Sequence, residues 1–65
     1  MRDPNRIFPF IVRVGMAWSK VPDQRFGQLL SNFFHWLSEN GYDPFYMEDD
    51  EMIQKYEAYI HTIYC

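Results

Sequence analysis

Large apolar residues recur along this chain at three- and four-residue spacing in three separate runs, the pattern of three amphipathic helices. In the first run Ile7, Phe10, Ile11, Val14 and Trp18 share one helical face. Asp3-Pro4 reads as a cap followed by proline at a first helical position. Pro9 conflicts with a helix begun there, because it lacks an N–H and its ring meets the preceding turn. The pattern therefore predicts a short turn through Phe8 and a helix from Pro9 to about Ser19. Gly15 weakens that helix slightly and would let a neighbouring element approach closely. Val21-Pro22 ends it, since the residue before a proline is driven out of the α region.

Asp23 is a suitable N-cap for a second helix over residues 24–38, with Phe26, Leu29, Leu30, Phe33 and Leu37 as its core stripe. Asn40-Gly41 is a C-terminal stop. The segment Tyr42–Met47 turns at Asp43-Pro44, is too apolar for a loose loop, and is predicted to pack across the helices. Glu48, Asp49, Asp50 and Glu51 open a third helix over residues 49–64, where the positive end of the helix dipole favours acids. Met52, Tyr56, Tyr59, Ile60 and Ile63 supply its buried stripe. The expected fold is all-α: one domain over residues 1–65, a compact three-helix bundle with an apolar connection between its second and third helices. Short connections favour antiparallel neighbours.

Composition sharpens this picture. The 65 residues include six Phe, five Tyr and two Trp. A body this small hides only part of its surface, so the core stripes leave a second apolar set over. Phe8, Val12 and Met16 line another face of the first helix, and Phe34 and Trp36 another face of the second. The run Phe33–Leu37 is apolar nearly all round, which places a helix centrally or between two contacts. Three readings follow: the Tyr42–Met47 segment covers this second face, the face is a self-association or partner surface, or it lines a ligand pocket.

Charge divides the chain. Residues 1–38 carry Arg2, Arg6, Arg13, Lys20 and Arg25 against Asp3 and Asp23, a balance of +3. Residues 39–65 carry seven acids against Lys55, a balance of −6. The halves attract each other, and the acidic part argues against nucleic acid, whose affinity comes from neutralised phosphates. A helix-turn-helix regulator is the alternative, since many such domains are three-helix bundles. The third helix, however, is acidic, and the second offers only Gln24, Arg25, Gln28 and Asn32. An acidic helical mimic of nucleic acid is a further variant of protein binding.

Candidate chemistry is sparse. Four consecutive acids on a helix point in different directions and do not converge on one ion, and the spacing is not that of a calcium loop. They read as helix-stabilising surface charge, or as a contact for a basic partner. His35, His61 and Cys65 give at most three soft metal ligands. No glycine-rich phosphate loop or nucleophile elbow occurs, which leaves a small enzyme or metal site as the third reading. No cofactor is expected. A lone cysteine fits a reducing compartment, and no secretory leader or membrane span is read from the sequence, so a cytoplasmic setting is expected.

Three blocks occur in order: Arg2-Asp3-Pro4-Asn5-Arg6-Ile7, Pro22-Asp23-Gln24-Arg25-Phe26-Gly27-Gln28-Leu29, and Asp43-Pro44-Phe45-Tyr46 with Glu48-Asp49-Asp50-Glu51. As a set they resemble a group of small uncharacterised proteins of bacteria and their mobile elements. The resemblance implies a shared compact helical fold and brings no catalytic residues. Arg25 stands early in its helix, where it could pair with Asp43 or the Glu48–Glu51 acids, and Gln28 could satisfy a backbone group of the connection.

The expected function is therefore binding to a protein partner, to a second copy, or to both, as a small regulator or inhibitor. The residues expected to carry it are Phe8, Val12, Met16, Phe34 and Trp36, with Arg6, Arg25, Tyr46 and the acids Glu48, Asp49, Asp50 and Glu51.

Overall fold

A computed structural model describes residues 2–64, and these form the expected compact three-helix bundle with no strand among them. The helices are α1 (Ile7–Trp18), α2 (Phe26–Glu39) and α3 (Asp49–Tyr64), with single 3-10 turns at Pro4–Arg6 and Pro44–Tyr46.

Helix α1 starts two residues before Pro9 rather than at it. The Asp3 carboxylate accepts from the Asn5 N–H at 2.9 Å and caps the Pro4–Arg6 turn, which runs directly into the helix. Pro9 thus falls within the first turn of α1, where the backbone N–H groups have no intrahelical acceptor and a missing one costs nothing.

Helix α2 begins at Phe26 and not under an Asp23 cap. The Trp18 indole N–H donates to the Gln24 carbonyl at 2.9 Å, and the Gln24 N–H donates to the Val21 carbonyl at 3.1 Å. These bonds hold residues 21–24 in a turn and leave Arg25 extended as the N-cap. Gln28 accepts the Arg25 N–H at 3.0 Å, which is one half of a capping box. The bond that the sequence directed from Gln28 to the connection is therefore made inside its own helix. At the far end the Gly41 and Tyr42 N–H groups donate to the Ser38 and Leu37 carbonyls, a Schellman stop. Gly41 has φ +82°, which glycine adopts without strain.

The core is Ala17, Leu29, Phe33, Leu37, Ile53, Tyr56, Tyr59 and Ile60. The closest pairing joins α1 and α3, which are not neighbours in sequence. They run in the same direction, because Arg6 meets Asp49 and Arg13 meets Glu57. Helix α2 reaches α3 through rings: Phe33 lies 5.3 Å from Tyr56, edge-on, and 5.6 Å from Tyr59. The Tyr56 hydroxyl extends to the Val14 carbonyl of α1 at 3.4 Å.

All three stripes differ from those expected: on α2 the core residues are Leu29, Phe33 and Leu37, while Phe26, expected with them, is 49% exposed beside Trp18. Ile53, rather than Met52 or Ile63, completes the buried face of α3. On α1 the inward face is Phe10, Val14 and Ala17, while Ile7 and Ile11 are 44% and 54% exposed.

Replacing Phe33 by alanine removes the ring that joins the two halves of the core. The expected loss is about 3–5 kcal/mol, against a total of about 3–10 kcal/mol for a domain of this length. Urea unfolding followed by circular dichroism should find Phe33→Ala largely unfolded, and Phe45→Ala, at an exposed site, within about 0.5 kcal/mol of the parent.

Candidate functional site

The turning of α1 leaves a continuous outward stripe. Ile7, Phe8, Ile11, Val12, Gly15 and Met16 follow one another at three- and four-residue steps with no charged residue among them. All six are exposed, Phe8 by 79%. Apart from Arg13 every residue of α1 is apolar or glycine, so it carries one apolar face inward and a second outward. Such a helix is normally enclosed on both sides.

Of the residues expected to contact a partner, Phe8, Val12 and Met16 lie together on this stripe. Phe34 is exposed on α2, its ring 5.7 Å from Phe33. Trp36 is half-buried and packs against Phe33 and Tyr59, so it helps to close the aromatic core. Tyr46 is exposed beside Phe45, their rings edge-to-face at 4.9 Å. The connection therefore does not cover the second apolar set: Met47 packs on the core, whereas Phe45 is 84% exposed.

The charged candidates are mostly engaged within the chain. Arg2 meets Glu48 at 3.0 Å and Arg6 meets Asp49 at 3.0 Å. Arg13 grips Glu57 through two nitrogens, Nε at 3.0 Å and Nη2 at 2.5 Å. These three pairs form a ladder along the α1–α3 seam, the attraction that the charge division led us to expect. Asp50 and Glu51 remain exposed at the start of α3, where the Asp50 carboxylate accepts the Glu51 N–H. Arg25 makes no ion pair with a described residue, and Asp43, its expected partner, instead caps its own turn by accepting the Phe45 N–H. The sequence reading missed Ile7, Ile11 and Gly15 as surface residues. Arg13 was the available signal: it borders the Phe10–Ala17 face, which marks that face as the one meeting the acids of α3.

The titrations follow these contacts. The Arg13 guanidinium holds the Glu57 carboxyl below the usual glutamate range. A hydrogen bond with Tyr42 raises Lys55, whose Nζ lies 4.3 Å above that ring. Burial pushes the Tyr56 phenol up. His35 reaches Glu39 at 2.7 Å one turn on. Among the described residues no three His, Cys, Asp or Glu side chains gather to hold a metal ion, and the His61–Cys65 pairing lies outside them. No helix of the described residues is long and apolar enough to cross a membrane.

The accessible area is 5011 Å², and the body is elongated, 34 × 26 × 19 Å, with a radius of gyration of 11.9 Å. No family model, no curated protein and no solved structure matches this chain.

Because the folded-state Glu57 value is depressed, its contribution to stability is present above the unfolded glutamate range and is lost as pH falls through the lowered folded value. Glu57→Gln lacks that contribution at neutral pH. Its melting temperature should therefore start lower and fall less steeply than the parent's between neutral pH and about pH 3. Parallel slopes in a pH series of thermal melts would remove the Arg13–Glu57 pair from the account.

Proposed function

We propose that this chain is a protein-binding module that docks through the outward face of α1. The observation that carries the reading is the uninterrupted exposed stripe Ile7, Phe8, Ile11, Val12 and Met16. Contiguous exposed apolar surface on a small chain marks a place where another protein sits. The aromatic pair Phe45–Tyr46 adds a second exposed apolar point on the connection.

The module acts as a small acidic regulator or inhibitor in the cytoplasm, with no chemistry of its own. The resemblance of its three sequence blocks to small bacterial and mobile-element proteins supports that setting. Nucleic-acid binding has less support, because Arg2, Arg6 and Arg13 already stand opposite carboxylates.

A photo-crosslinking residue at Val12, expressed in the native host, should give a discrete protein adduct on irradiation. The same residue at Gln54, exposed on α3, should not. Equal labelling at both positions, or none at Val12, would sink the proposal.

A further inference from the structure

We infer that Asn40 is a self-modification site: it deamidates through attack by the Gly41 nitrogen, and the folded end of α2 holds that reaction shut until the last helical turn opens. The reactants are adjacent in the chain. Asn40 carries the labile amide, and Gly41 follows it with no side chain to crowd the attacking nitrogen. The other asparagines, Asn5 and Asn32, precede Arg6 and Phe33, whose side chains do crowd it. Asn40 and Gly41 are both exposed, so water reaches the amide and ammonia can depart.

The reaction needs only water. The Gly41 N–H gives its proton to water, and the nitrogen bonds to the Asn40 Cγ. The Cγ–Nδ2 bond then breaks, and Nδ2 takes up a proton and leaves as ammonia. Water adds to either carbonyl of the five-membered imide and reopens it. The product is aspartate, or isoaspartate with an extra methylene in the backbone.

The stop of α2 opposes each part of this. The Asn40 Nδ2 donates to the Trp36 carbonyl at 2.7 Å, which ties the side chain back along the helix. The Gly41 N–H donates to the Ser38 carbonyl at 3.1 Å, so the attacking nitrogen is engaged. The backbone is also turned the wrong way. Ring closure needs the Asn40 Cβ and the Gly41 nitrogen eclipsed about the Cα–C bond. With ψ at 10° the two backbone nitrogens eclipse instead, which leaves Cβ about a third of a turn away. Rotating ψ to the reactive value breaks the Gly41–Ser38 and Tyr42–Leu37 bonds together. Reaction is thus confined to molecules whose last turn has frayed, and helix ends fray more readily than a core.

Modification then keeps the turn open. A carboxylate at position 40 cannot donate to the Trp36 carbonyl, and it adds negative charge at the negative end of α2, next to Glu39. The isoaspartate backbone is one atom longer and no longer sets Gly41 and Tyr42 against Ser38 and Leu37. The connection bearing Phe45 and Tyr46 starts from that stop and moves with it.

Peptide mapping by mass spectrometry, on the full chain kept in neutral buffer at physiological temperature, locates each conversion by a gain of about one mass unit. The parent should react at Asn40, and at least about tenfold faster in guanidinium chloride than when folded. Phe33→Ala, largely unfolded, should react in plain buffer at close to the denatured rate, whereas Phe45→Ala should keep the folded rate. Asn40→Gln should show no gain at that position, because its longer side chain must close a six-membered ring. Asn40→Asp, the product, should keep the bundle and melt a few degrees below the parent. Equal rates for the folded and denatured parent overturn the gating. A denatured chain that does not react at Asn40, or reacts chiefly at Asn5 or Asn32, overturns the site. An Asn40→Asp chain that melts with the parent overturns the opening of the turn by its own product.

Discussion

Tyr56 is the residue on which the three helices converge. Its ring receives the edge of Phe33 from α2, and its hydroxyl reaches the Val14 carbonyl of α1. Helix α2 has few other close approaches to α3, so the α2 side of the core hangs on the Phe33, Tyr56, Tyr59 and Trp36 rings. Aromatic packing suits this task in a short chain, because each ring buries a large area while ordering only two torsions. The buried phenol keeps its proton more tightly than a free one, which matches a group whose ring, rather than its charge, serves the fold.

That centre uses little of α1. Only Phe10, Val14, Ala17 and Trp18 turn toward it, and Trp18 serves chiefly to shape the turn into α2 by holding the Gln24 carbonyl and meeting Phe26 at 5.4 Å. A helix with apolar residues on two faces cannot satisfy both inside a bundle of three. Small domains lack a fourth layer to cover the second face. The connection between α2 and α3 could have served as that layer. Instead its Asp43 cap and 3-10 turn hold Phe45 and Tyr46 outward, while Lys55 lies over Tyr42 on the far side.

Much of the architecture was legible in the residues. The stop at Asn40-Gly41 and the acidic start of α3 were placed by chemistry that acts locally: a positive φ only glycine adopts easily, and carboxylates beside free N–H groups. The starts of α1 and α2 were misplaced by a few residues for tertiary reasons. Pro9 is tolerated because the turn before it merges with the helix, and the Asp23 cap is displaced because an indole from α1 claims the carbonyl of Gln24. On α1 periodicity could not decide which stripe is buried. Ile7 and Ile11 belong to one apolar face, Phe10 and Val14 to both, and Ala17 carries too little side chain to register as core. Of the candidate surface, Phe8, Val12 and Met16 were read from spacing alone. Gly15 was noticed for close approach, but its place on the stripe needed the helix to be oriented.

Orientation is where weak charges acquire consequence. An ion pair at a half-exposed seam contributes about 0–1 kcal/mol, too little to hold a bundle together. The choice between two nearly equivalent apolar faces of α1, however, requires only a difference of that order. Arg6 and Arg13 stand on the edge of α1 next to Phe10 and Ala17, and their partners Asp49 and Glu57 stand on the matching edge of α3. Turning α1 over to bury Phe8 and Val12 would carry both arginines away from those carboxylates and forfeit every rung of the ladder together. The charges thus act with the Trp18 and Val14 hydrogen bonds to favour the face that goes in, which leaves the uncharged stripe with its protruding phenylalanine outside.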